Sequence, residues 1–571
     1  MDRRTIIAFA MMAGALLLYS SLFPSKPPGP PARQAPAASE TGTTPAVPRV
    51  GVTPEAAATG AVGGGLGRPD RRIFGTALAG SDSQPRVFDL PDYRAVIDPV
   101  GGRITSWVLK RFTDAAEQPA DIVPSADPGL LEAEILIGGE ELDLSRTAFD
   151  VTEHAAGAPR GLTLTSRDTT GGEVRLDYEF PGAGSYSARL RILVSGAAGD
   201  NRASFLRIAF PQGVAHLETD PKYDRQAAAG VALIGTRTVK HAFGGSGGFG
   251  FGSGGGEKGW SEDAEGVVHW AGVRSKYFLA AVMPRNAESG PSGVDGRVGI
   301  RRGAGESYIR TEVLLPLNLS GPTEYVVDLY AGPMDYAELA RFKVGLEKAR
   351  DLGWRWIVPF SKLLIKFFEM VHRVVPNYGL CIIILSVLVK LVFYPLSRKS
   401  VESMRDMQRL KPEMERLSEK FKDDPQKKNQ ATLELYKKHK VNPLGGCLPI
   451  LVQMPVFIAL YNVLNTAVEL RKAPFGLWIR DLSAPDRVGA VAGLPIHIMP
   501  LIMAGTMVWQ QKLTPTDPRQ AAMAYIMPVV MTVFFYAMPS GLVLYWTVTN
   551  LMAIGQQVWI NRSVVQPTGA A

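Results

Sequence analysis

Beyond residue 377 the chain returns repeatedly to long apolar runs, and no other feature restricts its fold as much. Tyr378–Leu396, Leu444–Leu470 and Val488–Gln511 each approach the length needed for a ~30 Å hydrocarbon core at ~1.5 Å per helical residue. A fourth run, Ala521–Ile560, is too long for one crossing. Met538-Pro539-Ser540-Gly541 interrupts it near the middle, and Pro with Gly marks a turn, so it reads as two spans, Ala521–Met538 and Gly541–Ile560. A fifth apolar run, Thr5–Phe23, gives the sixth span and follows Met1-Asp2-Arg3-Arg4. It reads as a retained anchor rather than a cleaved leader, because the first small-residue site, Ala35-Pro36-Ala37, lies well past its end. Only 20% of the residues are charged, against about 25% for soluble proteins. A purely soluble enzyme and global disorder are both excluded.

Charge sets the expected orientation. The net charge is +8, but residues 24–350 hold 35 Lys+Arg against 39 Asp+Glu, whereas 398–440 hold 13 against 8. Lys and Arg concentrate in cytoplasmic loops. This places 398–440, 512–520 and both termini in the cytoplasm and 24–350 on the other side. Residues 24–70 are rich in Pro, Ala, Gly and Thr and form an extended tether. Alternating segments follow at Val174–Phe180, Tyr186–Val194, Phe205–Phe210, Tyr308–Leu315 and Glu324–Tyr330, the pattern of an antiparallel sandwich. Residues 336–350 read as a helix leading back to the membrane. The expected division is an anchor at 1–23, the tether at 24–70, an exported all-β sandwich at 71–350, an interfacial helix at 351–374, a five-helix part at 375–562 and a short tail at 563–571.

No enzyme signature stands out. The glycine-rich stretch Phe243–Trp260 holds a G-x-G-x-x-G at Gly245, Gly247 and Gly250, but it lacks the strand-turn-helix setting that aims amides at phosphate. The seven histidines are scattered, and two cysteines, Cys381 and Cys447, cannot make a disulfide framework or a cysteine-rich zinc site. No cofactor, metal or small-molecule substrate is expected.

Three features of the apolar third carry chemistry. In Leu352–Val374, the polar residues Arg355, Lys362, Lys366, Glu369 and Arg373 recur at helical spacing. That pattern suits a helix lying flat in the membrane interface, with a core helix of the exported domain as the alternative. In 398–440, Met404, Met407, Leu410, Met414, Leu417 and Phe421 line one face of a helix that Asp423-Asp424-Pro425 stops, and a second helix runs to about Lys438. The methionines serve either as an adaptable contact surface or as the seam of this helical hairpin. Lys390 sits in an otherwise apolar run, Ile382–Phe393. A charge at mid-membrane costs ~2.5–3.5 kcal/mol, so Lys390 either faces a polar cavity or snorkels. Ser386, Gln453, Asn462, Asn465, Thr547, Thr549 and Asn550 add polarity to the spans, and no acidic residue interrupts a span interior. That absence argues against a proton-coupled transporter, one rival reading along with a channel. A membrane-anchored sugar-binding or docking protein is the other.

The strings Asn442-Pro443-Leu444-Gly445-Gly446-Cys447, Gln453-Met454-Pro455 and Pro539-Ser540-Gly541-Leu542-Val543-Leu544-Tyr545, with the anchor, sandwich, hairpin and five spans, resemble the YidC family of membrane protein insertases, of the Gram-negative type with a large periplasmic domain. The resemblance implies a protein of the bacterial inner membrane, not an enzyme, whose five helices enclose a hydrophilic groove open to cytoplasm and lipid. Lys390 matches the family's intramembrane basic position, usually arginine; Ser386 matches a polar position, usually threonine. Gln453, Tyr545, Trp546 and Asn550 complete the implied groove. Pro455, Phe457 and Phe534 would form a slide towards lipid, and Met404, Met407, Met414, Lys427 and Lys428 a cytoplasmic recruitment surface. The implied partners are nascent membrane proteins, the secretory translocon, ribosome–nascent chain complexes held weakly by the hairpin, and membrane lipids.

Overall fold

The computed structural model describes residues 84–563, apart from 138–139, 156–158, 168–171, 183, 196–202, 244–258, 286–292, 319–320, 423, 440, 442–447, 492–493 and 514–520. The N-terminal apolar run, the tether, the G-x-G-x-x-G glycines and the string Asn442–Cys447 lie outside the described residues.

Alternation builds the first region. In Glu173–Phe180, Val174, Leu176, Tyr178 and Phe180 point inward, because successive strand residues face opposite sides. Antiparallel pairing with Ser187–Ser195 sets Val174 opposite Val194, Leu176 opposite Ile192 and Tyr178 opposite Leu190. Leu190 in turn faces Val327 of Thr323–Pro333, so one apolar row crosses three strands. Phe278–Arg285 is instead buried from Phe278 to Pro284, as a continuous apolar run requires when both faces are covered. Among the described residues, fourteen strands between Glu132 and Pro333 share one antiparallel sheet, and a four-stranded meander, Arg86–Asp89 to Pro119–Asp121, packs with it around a common core. Tyr93 of the meander stacks on Trp107 with centroids 4.2 Å apart and donates its hydroxyl hydrogen bond to the Ser187 carbonyl at 2.6 Å. The all-β sandwich is as expected. The predicted helix over 336–350 is not continuous: Tyr336–Ala340 is helical, the chain turns through Lys343 and Gly345 at positive φ, and Leu346–Ala349 is a short 3-10 turn.

The second region holds nine helices among the described residues: α1 (Val358–His372), α2 (Tyr378–Val392), α3 (Tyr394–Arg409), α4 (Lys411–Lys420), α5 (Pro425–Lys438), α6 (Leu448–Thr466), α7 (Ile498–Leu513), α8 (Ala521–Phe535) and α9 (Ser540–Ser563). Helix α9 packs on α2 and α7, α7 on α8, and α1 on α6.

Several sequence boundaries need correction. Tyr378–Leu396 is not one helix: α2 ends at Val392 and α3 leaves it at 62°. Pro395 supplies no N–H, and its ring would clash with the Leu391 carbonyl of a continuous helix. Val488–Gln511 begins with a hairpin, Gly489–Val491 paired to Leu494–Ile496, before α7. The first arm of the charged hairpin is divided at Leu410, where Pro412 opens α4. The Met538–Gly541 interruption does separate α8 from α9. Among the described residues no single helix is long and apolar enough to cross a membrane, and the bent pair Tyr378–Val392 with Tyr394–Ser403 passes that test only jointly.

The two regions meet on the loop after α6. Arg471, 9% exposed, donates to Glu218 Oε1 at 2.6 Å and to the Thr113 carbonyl at 2.7 Å, and lies 5.3 Å from the Phe278 ring centre. Lys472 reaches Thr113 Oγ1 at 2.9 Å, and Lys276 reaches the Ser483 carbonyl at 3.1 Å. At the other end of the seam Arg350 donates to Thr466 Oγ1 at 3.4 Å, and Asp351 accepts from Lys240 and from the Gly353 amide.

Removing the Arg471 guanidinium leaves the half-buried Glu218 without its partner, which costs up to about 3 kcal/mol, the lower end for a buried pair. Arg471→Ala is expected to open the loop to limited proteolysis and to lower the melting temperature of the full chain in detergent, with Arg471→Lys in between. Burial acts to raise the Asp351 carboxyl, but Lys240 and Arg274 outweigh it and hold the group below the ordinary carboxylate range. A depressed carboxylate stabilises above its unfolded pKa, and that contribution is lost as pH falls through the folded value. Asp351→Asn is therefore expected to destabilise by roughly 1–3 kcal/mol at neutral pH, and its gap to wild type should close as the pH is lowered below about 4, read by thermal melts along a pH series.

Candidate functional site

The helix that carries Lys390 is fixed at its start. Asn377 caps α2, its side chain accepting from the Leu380 amide at 3.1 Å and donating to the Phe475 carbonyl at 3.0 Å. A side chain at Gly379 would collide with the Phe475 ring, since a Cβ there would sit 2.1 Å from Cδ2. From this anchored end α2 runs for 15 residues, ~22 Å at the helical rise. Lys390 thus falls in its last turn, two residues from the end, rather than in mid-span as the unbroken run to Leu396 suggested. A cation in a final turn complements the negative end of the helix dipole. Lys390 is half-buried and has no hydrogen-bond or ion-pair partner among the described residues.

One turn earlier on the same face, Ser386 is fully buried and returns its hydroxyl to the Ile382 carbonyl at 2.8 Å. The other groove candidates belong to α6 and α9. Gln453 Nε2 donates to the Tyr545 hydroxyl at 2.7 Å, joining the two helices through a pair of buried or half-buried polar groups. Asn550 Nδ2 lies 3.4 Å from Thr506 Oγ1 of α7. Thr506 was not singled out from the sequence; its signal was a hydroxyl within an apolar stretch of α7, one helix away from its partner.

Trp546 sits in an aromatic cluster. Its ring packs 5.2 Å from Phe457 and 5.2 Å from Phe535, and Phe534 lies 5.4 Å from Phe535. The Trp546 indole N–H is buried with no acceptor among the described residues. Phe457 is 6% exposed and therefore faces this cluster rather than the outside, Phe534 is half-buried, and Pro455 lies inside α6. The structure thus joins Gln453 with Tyr545, Phe457 with Trp546 directly and Phe534 with Trp546 through Phe535, while Lys390 makes no hydrogen bond or ion pair with any of them among the described residues.

Of the hairpin residues, Met414 accepts a contact from the Tyr436 hydroxyl at 3.3 Å, at the seam of α4 and α5. Lys427 is exposed and pairs with Asp424 at 3.3 Å; Lys428 is half-buried. Met404 and Met407 lie on α3.

This arrangement offers hydroxyls, amides and one ammonium. Among the described residues no cluster of His, Cys, Asp and Glu could hold a metal ion. A hollow of about 330 Å³ opens in the sandwich, but its guanidiniums are already engaged: Arg301 by Asp263 and Glu312, Arg310 by Glu134 and Glu312.

Comparison with known proteins follows the same two-part division. A family model described as 60Kd inner membrane protein matches residues 370–567, and one described as YidC periplasmic domain matches 87–365. The membrane protein insertase YidC of Geobacter metallireducens is 34% identical over 99% of this chain and 99% of its own length, and that of Syntrophus aciditrophicus is 31% identical over 98% and 100%. A solved structure of an active YidC insertase with its first transmembrane domain resolved covers 86% of this chain and 94% of that one, at 18% identity and a TM-score of 0.37. Because relatives above 30% identity align from end to end, across the sandwich and the helices alike, the chain belongs to the YidC family of membrane protein insertases, inner-membrane proteins with a periplasmic domain rather than enzymes.

Proposed function

We propose that this chain inserts nascent membrane proteins by receiving a short exported tail in a polar groove between α2, α6, α7 and α9. The observation that carries the reading is Lys390, a half-buried ammonium without a hydrogen-bond or ion-pair partner among the described residues, in a helix with no other charged residue. Such a charge is retained at a cost, and an acidic group on a guest would offset that cost. Ser386, Gln453, Tyr545, Trp546 and Asn550 complete the groove, and Pro455 and Phe534 line the passage towards lipid, with Phe457 behind them in the aromatic cluster that backs it. The reading includes six spans with both termini cytoplasmic, residues 24–350 in the periplasm, and the hairpin of Met404, Met407, Met414, Lys427 and Lys428 facing arriving ribosome–nascent chain complexes. Membrane lipids and the secretory translocon are its further partners.

The energetics need no fuel. A guest segment of about twenty apolar residues at roughly −0.3 to −0.6 kcal/mol each already favours the inserted state. One tail carboxylate at about 3 kcal/mol raises the barrier, and a nearby ammonium in a wet hollow lowers that part. Lysine keeps the charge of the usual arginine but not its planar, bidentate fork. Long-range attraction therefore persists while geometric grip on a carboxylate is reduced.

In cells depleted of their own insertase, Lys390→Ala is expected to slow export of an acidic tail by roughly tenfold, equivalent to about 1.4 kcal/mol, and to leave an uncharged tail within about twofold. Lys390→Arg should match or exceed wild type. Unimpaired insertion of every substrate by Lys390→Ala would reject the attraction. A photocrosslinker at 453, 546 or 550 should capture a stalled nascent chain, whereas one at Glu179 on the sandwich should not; the reverse pattern would move the path elsewhere.

A further inference from the structure

Helix α1 has three faces rather than two. Ser361, Leu364, Ile365 and Phe368 are buried, on the side where α1 packs against α6. At about 100° per residue, carried through the turns that flank the helix at 354–357 and 373–374, a second sector collects Trp356, Phe360, Leu363, Met370 and Val374, which are 53%, 42%, 65%, 62% and 81% exposed. The third sector holds Arg355, Lys362, Lys366 and Arg373, all exposed, with Glu369 as its one acid. The apolar and basic sectors are adjacent and run the length of the helix. Lys362 Nζ lies 5.2 Å over the ring of Tyr336, in the short helix that closes the sandwich, so the basic sector adjoins the sandwich.

A second exposed apolar group lies nearby. Asn377, which starts α2 just beyond α1, holds the Phe475 carbonyl at 3.0 Å. Two residues on, Leu477 is 91% exposed at φ +55°, a left-handed conformation that leucine rarely takes. Strain persists where the surroundings over-determine it, and here it holds a leucine outward on the loop that Asn377 ties to the start of α2.

We infer that α1 and the Leu477 turn form a binding surface for anionic phospholipids of the leaflet on the sandwich side, with acyl chains against the apolar sector and phosphates against Arg355, Lys366 and Arg373. This rests on the membrane placement proposed above. The sector geometry selects a lipid over a protein partner: a stripe of cations bordering a stripe of apolar side chains reproduces the headgroup–acyl boundary, where basic amphipathic helices lie. Four cations against one carboxylate select a negative headgroup. The surface would hold the sandwich at a set height over the bilayer.

The test uses the full chain reconstituted in vesicles of phosphatidylcholine alone and of phosphatidylcholine mixed with phosphatidylglycerol. The lipid retained through mild delipidation is quantified by mass spectrometry. Wild type is expected to enrich phosphatidylglycerol over its share in the vesicle. Lys366→Gln with Arg373→Gln, both exposed, should reduce the enrichment by up to about fivefold per charge removed, and added salt should do the same to wild type. Glu369→Gln should raise it. No enrichment in wild type, equal enrichment in the variant, or coverage of α1 by a second copy of the chain or by a co-purifying protein would overturn the inference while leaving the membrane placement intact. Failure to float with vesicles of either composition would overturn that placement and this inference with it.

Discussion

The buried guanidinium of Arg471 ties the two halves of the molecule together. It is held by the Glu218 carboxylate and the Thr113 carbonyl and lies by the Phe278 ring. A buried charge of this kind is tolerated only when paired and hydrogen-bonded. Its position therefore has little freedom, and the loop that bears it inherits that constraint. The same loop then fixes helix starts. Leu482 and Ala484 carbonyls accept the Gly541 and Ser540 amides that open α9. The Asp486 carboxylate accepts the Ile498 and Met499 amides that open α7, and the Phe475 carbonyl holds Asn377 at the start of α2. Three helices that surround the candidate groove are thus positioned at one end by a segment that is itself seated on the sandwich. The opposite ends of α2 and α7 have no such common clamp among the described residues.

This asymmetry suits a groove closed on one side and open on the other. Backbone amides at a helix start need acceptors, and here the loop supplies them on the sandwich side, where solvent would otherwise do so. At the other end α2 gives way to α3 at a proline-imposed bend, and α3 continues into the charged hairpin. The half-buried ammonium of Lys390 lies at this bend. Its place in the last turn, at the negative end of the helix, reduces what the fold gives up to keep a charge there, so the residue can stay without a paired carboxylate among the described residues.

How much of this could be read from the residues depends on the range of the interaction. The strands were legible because alternation is local: Val174, Leu176 and Tyr178 advertise their inward face without reference to any partner. The break at Met538–Gly541 was legible for the same reason. The end of α2 was overlooked because hydropathy continues unbroken to Leu396 and only the geometry of Pro395 turns the chain. The hairpin before α7 was hidden in the apolar run from Val488. The polar candidates were recognisable one at a time, but their pairing was not. Gln453 meets Tyr545 across 92 positions, and Arg471 meets Glu218 across 253. No period or spacing encodes such contacts. Phe535 at the centre of the aromatic cluster was missed because a phenylalanine in an apolar span carries no signal of its own.

Helix α1 shows how a local pattern and a distant contact combine. Its sequence reveals that one side is charged, but two of its three faces are apolar, and composition does not distinguish a face meant for protein from one meant for lipid. Packing on α6 makes that distinction by covering Leu364, Ile365 and Phe368 and leaving Leu363 and Met370 open. The apolar cost of that exposure is about 25 cal/mol per Å² in water, a penalty that disappears if the face meets acyl chains. The same contact orients the cations beside the sandwich, through Lys362 over Tyr336. Arg471 thus fixes the sandwich to the helix starts from within, while α1 meets the same boundary from the rim. A rigid joint in the middle and an amphipathic rim together constrain tilt, which neither does alone, and a shallow groove needs its depth in the bilayer held constant if a single cation near the bend of α2 is to stay within reach of an entering tail.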